Sequence, residues 1–112
     1  MTQQRDIVLL SFPFSDLKAE KVRPVVVVSS DRYNRSSQDM IVVPLTSNLR
    51  LRECSILLTN KDLESGRLLK DSIIKVDRIL SVDRGLIRMV IGKVSRGIHR
   101  QIVEMLLSLL KE

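Results

Sequence analysis

Val25-Val26-Val27-Val28, entered through Arg23-Pro24, is the stretch that most restricts how this chain can fold. Four consecutive β-branched residues are stiff at χ1 and favour an extended, pleated backbone. An unbroken apolar run of this kind reads as a strand covered on both faces, in the middle of a sheet or barrel. Pro24 suits the first residue of that strand, where no ladder N–H is asked of it. It also holds Arg23 extended, because Pro Cδ clashes with an α-conformer at the preceding residue. Arg23 is thus a fixed cation at the mouth of a rigid strand, placed to meet something negatively charged.

Other strands follow from the same logic. Asp6 to Phe12 is apolar almost throughout and is ended by Pro13; Phe14 to Lys21 is polar and reads as a loop leading to the valine strand. Asp31 to Gln38 reads as a second loop, rich in turn formers and carrying the only tyrosine, Tyr33. Asp39 to Leu45 is a third strand, whose Pro44 implies an edge position or a bulge. Cys54 to Leu58 makes a fourth strand, and Thr59 to Gly66 holds a helical turn stopped by Gly66. Asp71 to Asp77 is a strand with Ile74 and Val76 on one face and Lys75 and Asp77 on the other. Leu86 to Val94 is the last. Ser95 then caps a helix to about Leu110, with Ile98, Ile102, Met105, Leu106, Leu109 and Leu110 at helical spacing as its core stripe. His99 falls off that stripe and reads as a surface residue. Five or six short strands and one helix in 112 residues point to a single domain, mainly β: a small closed barrel with a C-terminal α-helix.

Composition narrows the function. The net charge of +6 is carried by twelve Arg and seven Lys, and guanidinium is the forked group suited to phosphate. With one cysteine, Cys54, neither an intrachain disulfide nor a thiolate metal cluster can form. The polar start of the chain has no signal-peptide core, and no apolar run approaches the roughly 20 residues of a membrane span, so a cytoplasmic protein with no membrane partner is expected. There is no Gly-rich phosphate loop, no His/Cys metal spacing and no Ser-His-Asp set, and the acids are dispersed rather than clustered as metal-dependent nucleases need. No metal or cofactor is expected.

What remains is Arg23, Thr46 and the pair Lys75 and Asp77, each at a strand end or on an outward face. That set fits cleavage of RNA through its own 2′-OH, which needs no metal and no enzyme nucleophile. Arginine supplies charge and paired donors to the phosphoryl oxygens. A threonine hydroxyl can orient a phosphate oxygen, and Asp77 can act as base, although an ordinary carboxylate is a weak base and needs help from its site. Ser15, Asp16, Lys18, Lys21, Ser47, Arg50 and Arg78, in the flanking loops, are candidate RNA contacts.

At these residues the chain resembles the PemK/MazF family of toxin endoribonucleases. The resemblance runs through Asp6-Ile7-Val8-Leu9, Arg23-Pro24, Ser29-Ser30-Asp31-Arg32-Tyr33-Asn34, Ile41 to Ser47, Leu69 to Ile74, Asp77 to Asp83 and the terminal helix, in order, covering about Asp6 to Leu110. It implies an SH3-like barrel, a homodimer, and metal-independent cleavage of single-stranded RNA to a 2′,3′-cyclic phosphate. It also implies a cognate acidic antitoxin, favoured by the +6 charge, and a toxin–antitoxin complex that binds DNA. By position Arg23 and Thr46 match the family's catalytic arginine and threonine, while Lys75 and Asp77 match a basic–x–acidic pair that some members use for stabilisation and as base. Three departures stand out. Arg5 replaces a Gly common before the first strand, where a φ > 0 conformation would be strained. The segment Ser15 to Val22 lacks the family's Gly, and Asp77-Arg78-Ile79 replaces a common Glu-Gln-Ile. Two other classes remain open at this stage: a same-fold protein that poisons a DNA topoisomerase (gyrase) through its C-terminal helix, and a non-catalytic RNA-binding SH3-like barrel.

Overall fold

The computed structural model describes residues 2–13 and 20–111. Its strands are β1 (Asp6–Pro13), β2 (Glu20–Val27), β3 (Asp39–Thr46), β4 (Ser55–Leu58), β5 (Leu63–Gly66), β6 (Ser72–Lys75), β7 (Leu80–Asp83) and β8 (Ile87–Val94). Two α-helices accompany them, α1 (Asp31–Ser36) and α2 (Arg96–Leu110). The pairings are antiparallel and give one curled sheet in the order β4-β6-β3-β2-β1-β8-β5, with β7 also on β3. Among the described residues no pairing joins β4 to β5, so the expected SH3-like barrel takes the form of a curled half-barrel with a C-terminal helix.

The valine run is central, as its composition requires. Val25, Val26 and Val27 are wholly buried, in two different cores. Val26 joins Ile7, Val43, Leu45, Ile74 and Val94 under Ile98 and Ile102 of α2. Val25 and Val27 point to the other face, with Val8, Leu10, Met40, Val42 and Val82. Burial on both faces is what an unbroken β-branched run encodes.

The two prolines differ from expectation in an informative way. Pro24 is not the first residue of its strand but lies inside β2, opposite Leu9. Val27 O accepts from Arg5 N on the β1 side, and Val28 N donates to Ile41 O on β3, so even-numbered residues of β2 address β3. Pro24 holds the next such position and has no N–H, and β2–β3 pairing stops at Val25 and Pro44. Nor is Pro44 at an edge. β3 pairs β7 through Asp39 to Val42 and β6 from Leu45 on, and Pro44 sits in the gap where the partner changes.

Further corrections have local causes. Asp31 to Ser36 is a helix rather than a loop, because the Ser30 hydroxyl accepts Tyr33 N and Asp31 lies in the first turn. The polar segment before the valines is shorter than expected, since Lys21 already lies in β2. Cys54 precedes β4 with φ 64 instead of joining it. The helical turn after Thr59 is a single 3₁₀ turn, Asn60–Asp62, and Gly66 ends β5 instead. A Cβ at Gly66 would lie 2.2 Å from Ile91 O, and its φ is +79. Leu80–Asp83 adds a strand between the two last expected ones, where none was expected.

Ser95 caps α2 as expected, accepting Ile98 N at 3.2 Å. Ile98 and Ile102 are buried and Met105 and Leu106 pack on the core, but Leu109 and Leu110 are exposed. The core stripe therefore stops a turn short of the helix end. His99 is half-buried rather than a surface residue, with Nδ1 enclosed and unpartnered. The strain expected at Arg5 is present as φ 77, in the left-handed region. It is held by backbone bonds to Val27 O and from Val94 N, and by Arg5 Nη1 donating to Val94 O at 2.9 Å.

Candidate functional site

The end of β3 opens into a cleft of about 200 Å³. Alternation decides what faces it. Leu45 and its partner Ile74 point into the helix-side core, so Thr46 and its partner Ile73 point to the opposite face. Lys75, two residues beyond Ile73, shares that face, as does Ser55, which pairs with Lys75. Ile73 is 1% exposed and forms the floor beneath the polar groups.

The sheet then gives way to a 3₁₀ turn, Val76–Arg78. Asp77 is accordingly not on a strand face beside Lys75, as alternation implied. Val76 is buried in the helix-side core and its N–H donates to Cys54 O at 3.0 Å, which pins the turn at both its side chain and its backbone. Held in this way, Asp77 and Arg78 are both exposed and both line the cleft.

The opposite wall is the loop between β3 and β4, ordered by its own short polar side chains. Asn48 N donates to Thr46 Oγ1 at 3.2 Å and Arg50 N to Asn48 Oδ1 at 3.3 Å. Ser55 Oγ accepts Arg52 N at 3.1 Å and donates to Arg52 O at 2.5 Å. Since the Thr46 oxygen only accepts here, its own O–H remains available to a ligand.

Thr46, Arg50, Lys75, Asp77 and Arg78 are thus brought together from among the sequence-predicted residues. Arg23 lies outside the lining, exposed on β2. Continuing the β2–β3 register two residues past Val25 and Pro44 sets it across from Thr46 on the same face. That is the point at which Pro24 has ended the ladder. Lys21 and Ser47 are exposed and outside the lining, and Ser15, Asp16 and Lys18 lie outside the described residues. Asn48, Arg52, Glu53 and Ser55 also line the cleft and were missed. Alternation along β4 turns Ser55 away from the core face of Ile56 and Leu58, but its place opposite Lys75 is set by strand register, and Asn48, Arg52 and Glu53 depend on loop shape.

Chemically the cleft is a cationic cup with four basic side chains, Arg50, Arg52, Lys75 and Arg78, against two carboxylates, Glu53 and Asp77. Among the described residues its guanidinium groups have no side-chain partner, and they suit an oxyanion. Among the described residues, no three His, Cys, Asp or Glu side chains are grouped to hold a metal ion.

Residues 3–110 match the family described as PemK-like, MazF-like toxin of type II toxin–antitoxin systems. Among solved structures, the chain is similar to MazF in the MazE–MazF complex of Deinococcus radiodurans, with 21% identity, a TM-score of 0.81, and 97% of this chain and 95% of that one covered. A mycobacterial endoribonuclease solved with its cognate antitoxin gives 17%, 0.78, 98% and 95%. The Mycobacterium tuberculosis toxin MazF-mt6 gives 16%, 0.74, 93% and 94%. At such identities these likenesses establish the fold. No curated protein matches the chain.

Proposed function

The chain belongs to the PemK-like, MazF-like toxins of type II toxin–antitoxin systems, and from that premise we propose that it is a metal-independent endoribonuclease that cuts single-stranded mRNA in the cytoplasm and arrests translation. The observation that carries this reading is the convergence of Thr46, Lys75 and Asp77 on one cationic cleft, with Arg23 set opposite Thr46.

The proposed reaction is transesterification. Asp77 takes the proton of a ribose 2′-OH, and the 2′-oxygen attacks the adjacent phosphorus. The bond from phosphorus to the 5′-oxygen breaks, and that oxygen leaves protonated from solvent, giving a 2′,3′-cyclic phosphate and a 5′-OH. Arg23 donates to the phosphoryl oxygens as charge builds on the phosphorane, the kind of contact worth about 100- to 1000-fold in rate. Thr46 O–H orients one of those oxygens, and Lys75, on the same cleft lining, adds positive charge toward the phosphorane. Arg50 and Arg78 hold neighbouring phosphates. The enzyme acts as a homodimer, and an acidic cognate antitoxin restrains it by covering the cationic face.

Incubating the protein with mixed-sequence single-stranded RNA in excess EDTA tests this directly. Fragments ending in cyclic phosphate at a recurring short sequence support it. RNA that is bound yet stays intact, beside an active control ribonuclease, overturns it in favour of a binding module.

A further inference from the structure

A second cationic cleft, of about 330 Å³, lies between the start of β1 and the first two turns of α2. Arg5, Arg96, His99 and Arg100 line it, with Gln4 and Val103. None of these residues has a part in the ribonuclease reading, and the cleft shares no lining residue with the first.

Its charges are poorly matched within the protein. Arg5 bonds Glu64 at 3.2 Å, and nearby Asp31 is taken up by Gln4 N at 2.7 Å. Among the described residues Arg96 and Arg100 make no hydrogen bond or salt bridge; Arg96 lies near enough to help lower the Glu64 pKa, but that carboxylate is already bonded by Arg5, and Arg100 is not paired with Glu104 one turn on. His99 Nδ1 is enclosed without a partner. The helix end is not itself the attraction, since Ser95 already caps Ile98 N. The donors are side chains from two elements, and the left-handed backbone at Arg5 keeps one of them turned into the cleft wall against Val94 and Glu64.

We propose that this cleft binds a phosphate group, free or as a phosphodiester of a nucleic-acid strand. A carboxylate has two oxygens and one charge, and one arginine satisfies it, as Arg5 does Glu64. A phosphate offers more acceptor oxygens in a compact tetrahedron, which matches two unpaired guanidinium forks and an imidazole edge. Burial and the Arg5 charge lower the His99 pKa, and a bound anion would offset the Arg5 charge and draw a proton onto the ring.

His99 is the only histidine, so its ring signals report the cleft without ambiguity. Inorganic phosphate, acetate, a short oligodeoxynucleotide and a Glu-rich peptide would each be titrated by NMR at constant ionic strength, into wild type and Arg96→Gln/Arg100→Gln. Saturable His99 shifts with phosphate or the oligonucleotide, with the His99 pKa raised, support the proposal. The variant, whose changes are at exposed positions, should weaken that binding at least tenfold, as loss of charge-assisted bonds implies. A response to phosphate alone assigns a free anion; a tighter response to the oligonucleotide assigns a strand. Equal, non-saturating shifts from phosphate and acetate would overturn it, as would saturation by the peptide alone. Neither result depends on RNA cleavage.

Discussion

Val76 N donates to Cys54 O at 3.0 Å, from a Cys54 backbone in the left-handed region at φ 64. This single bond ties the turn carrying Asp77 to the strand that supplies Ser55, so an unfavoured conformation at a residue flanked by the cleft lining sets one wall of the cleft.

Cys54 therefore has an unusual substitution profile. Glycine adopts φ 64 without the steric cost of a Cβ, whereas a β-branched side chain raises that cost. Cys54→Gly should keep stability within about 1 kcal/mol of wild type, and Cys54→Val should lose about 2 kcal/mol. Urea unfolding measures both, and the cleavage rate of Cys54→Val should fall with the displacement of Asp77.

A parallel ranking is expected at Arg5, also left-handed at φ 77. Arg5→Gly and Arg5→Ala lose the same side-chain bonds to Val94 O and Glu64. They differ in backbone strain, so Arg5→Gly should be more stable than Arg5→Ala by about 1 kcal/mol, the reverse of the order in a helix interior. Thermal unfolding of the two variants decides it.

Asn34 is buried, and its Nδ2 donates to Ser29 O at 3.0 Å while its Oδ1 accepts from Ser29 Oγ. Asn34→Ala leaves these groups unsatisfied and should cost about 2 kcal/mol, roughly 10 °C in Tm for a domain of this size. Retention of the wild-type Tm would contradict the account of how α1 is anchored.

His99 gives stability a pH dependence whose sign is fixed. Its folded pKa lies below the ordinary 6.5, by burial first and the Arg5 charge second. The unfolded chain thus binds the proton more readily. The contribution is complete above about pH 6.5 and is lost as pH falls from there through the lower folded value. Urea midpoints measured from pH 7.5 downward should decline for wild type and be flatter in that window for His99→Gln.

Much of this was legible in the residues. The valine run forced a strand with two covered faces, Arg23-Pro24 gave an extended cation, and Ser95 with its helical stripe gave α2. Left-handed strain at Arg5 followed from a bulky residue where glycine is usual. What escaped depended on tertiary register. Pro44 reads as an edge residue until β3 is seen to change partners at it, and Asp77 reads as a strand residue until Cys54 O captures Val76 N. Asn48, Arg52 and Glu53 reach the cleft by turns among short polar side chains, which alternation does not describe.

The central claim is that the cleft drives attack by the substrate's own 2′-OH with Arg23 stabilising the phosphorane. The most direct measurement compares an RNA that the protein cuts with the same strand carrying one 2′-deoxynucleotide at the cut position, using wild type and Arg23→Ala. The account predicts no cleavage at the deoxy position by either protein, and a loss of about 100- to 1000-fold on the unmodified strand for Arg23→Ala. Cleavage persisting at the deoxy position, or an Arg23→Ala rate equal to wild type, would contradict it.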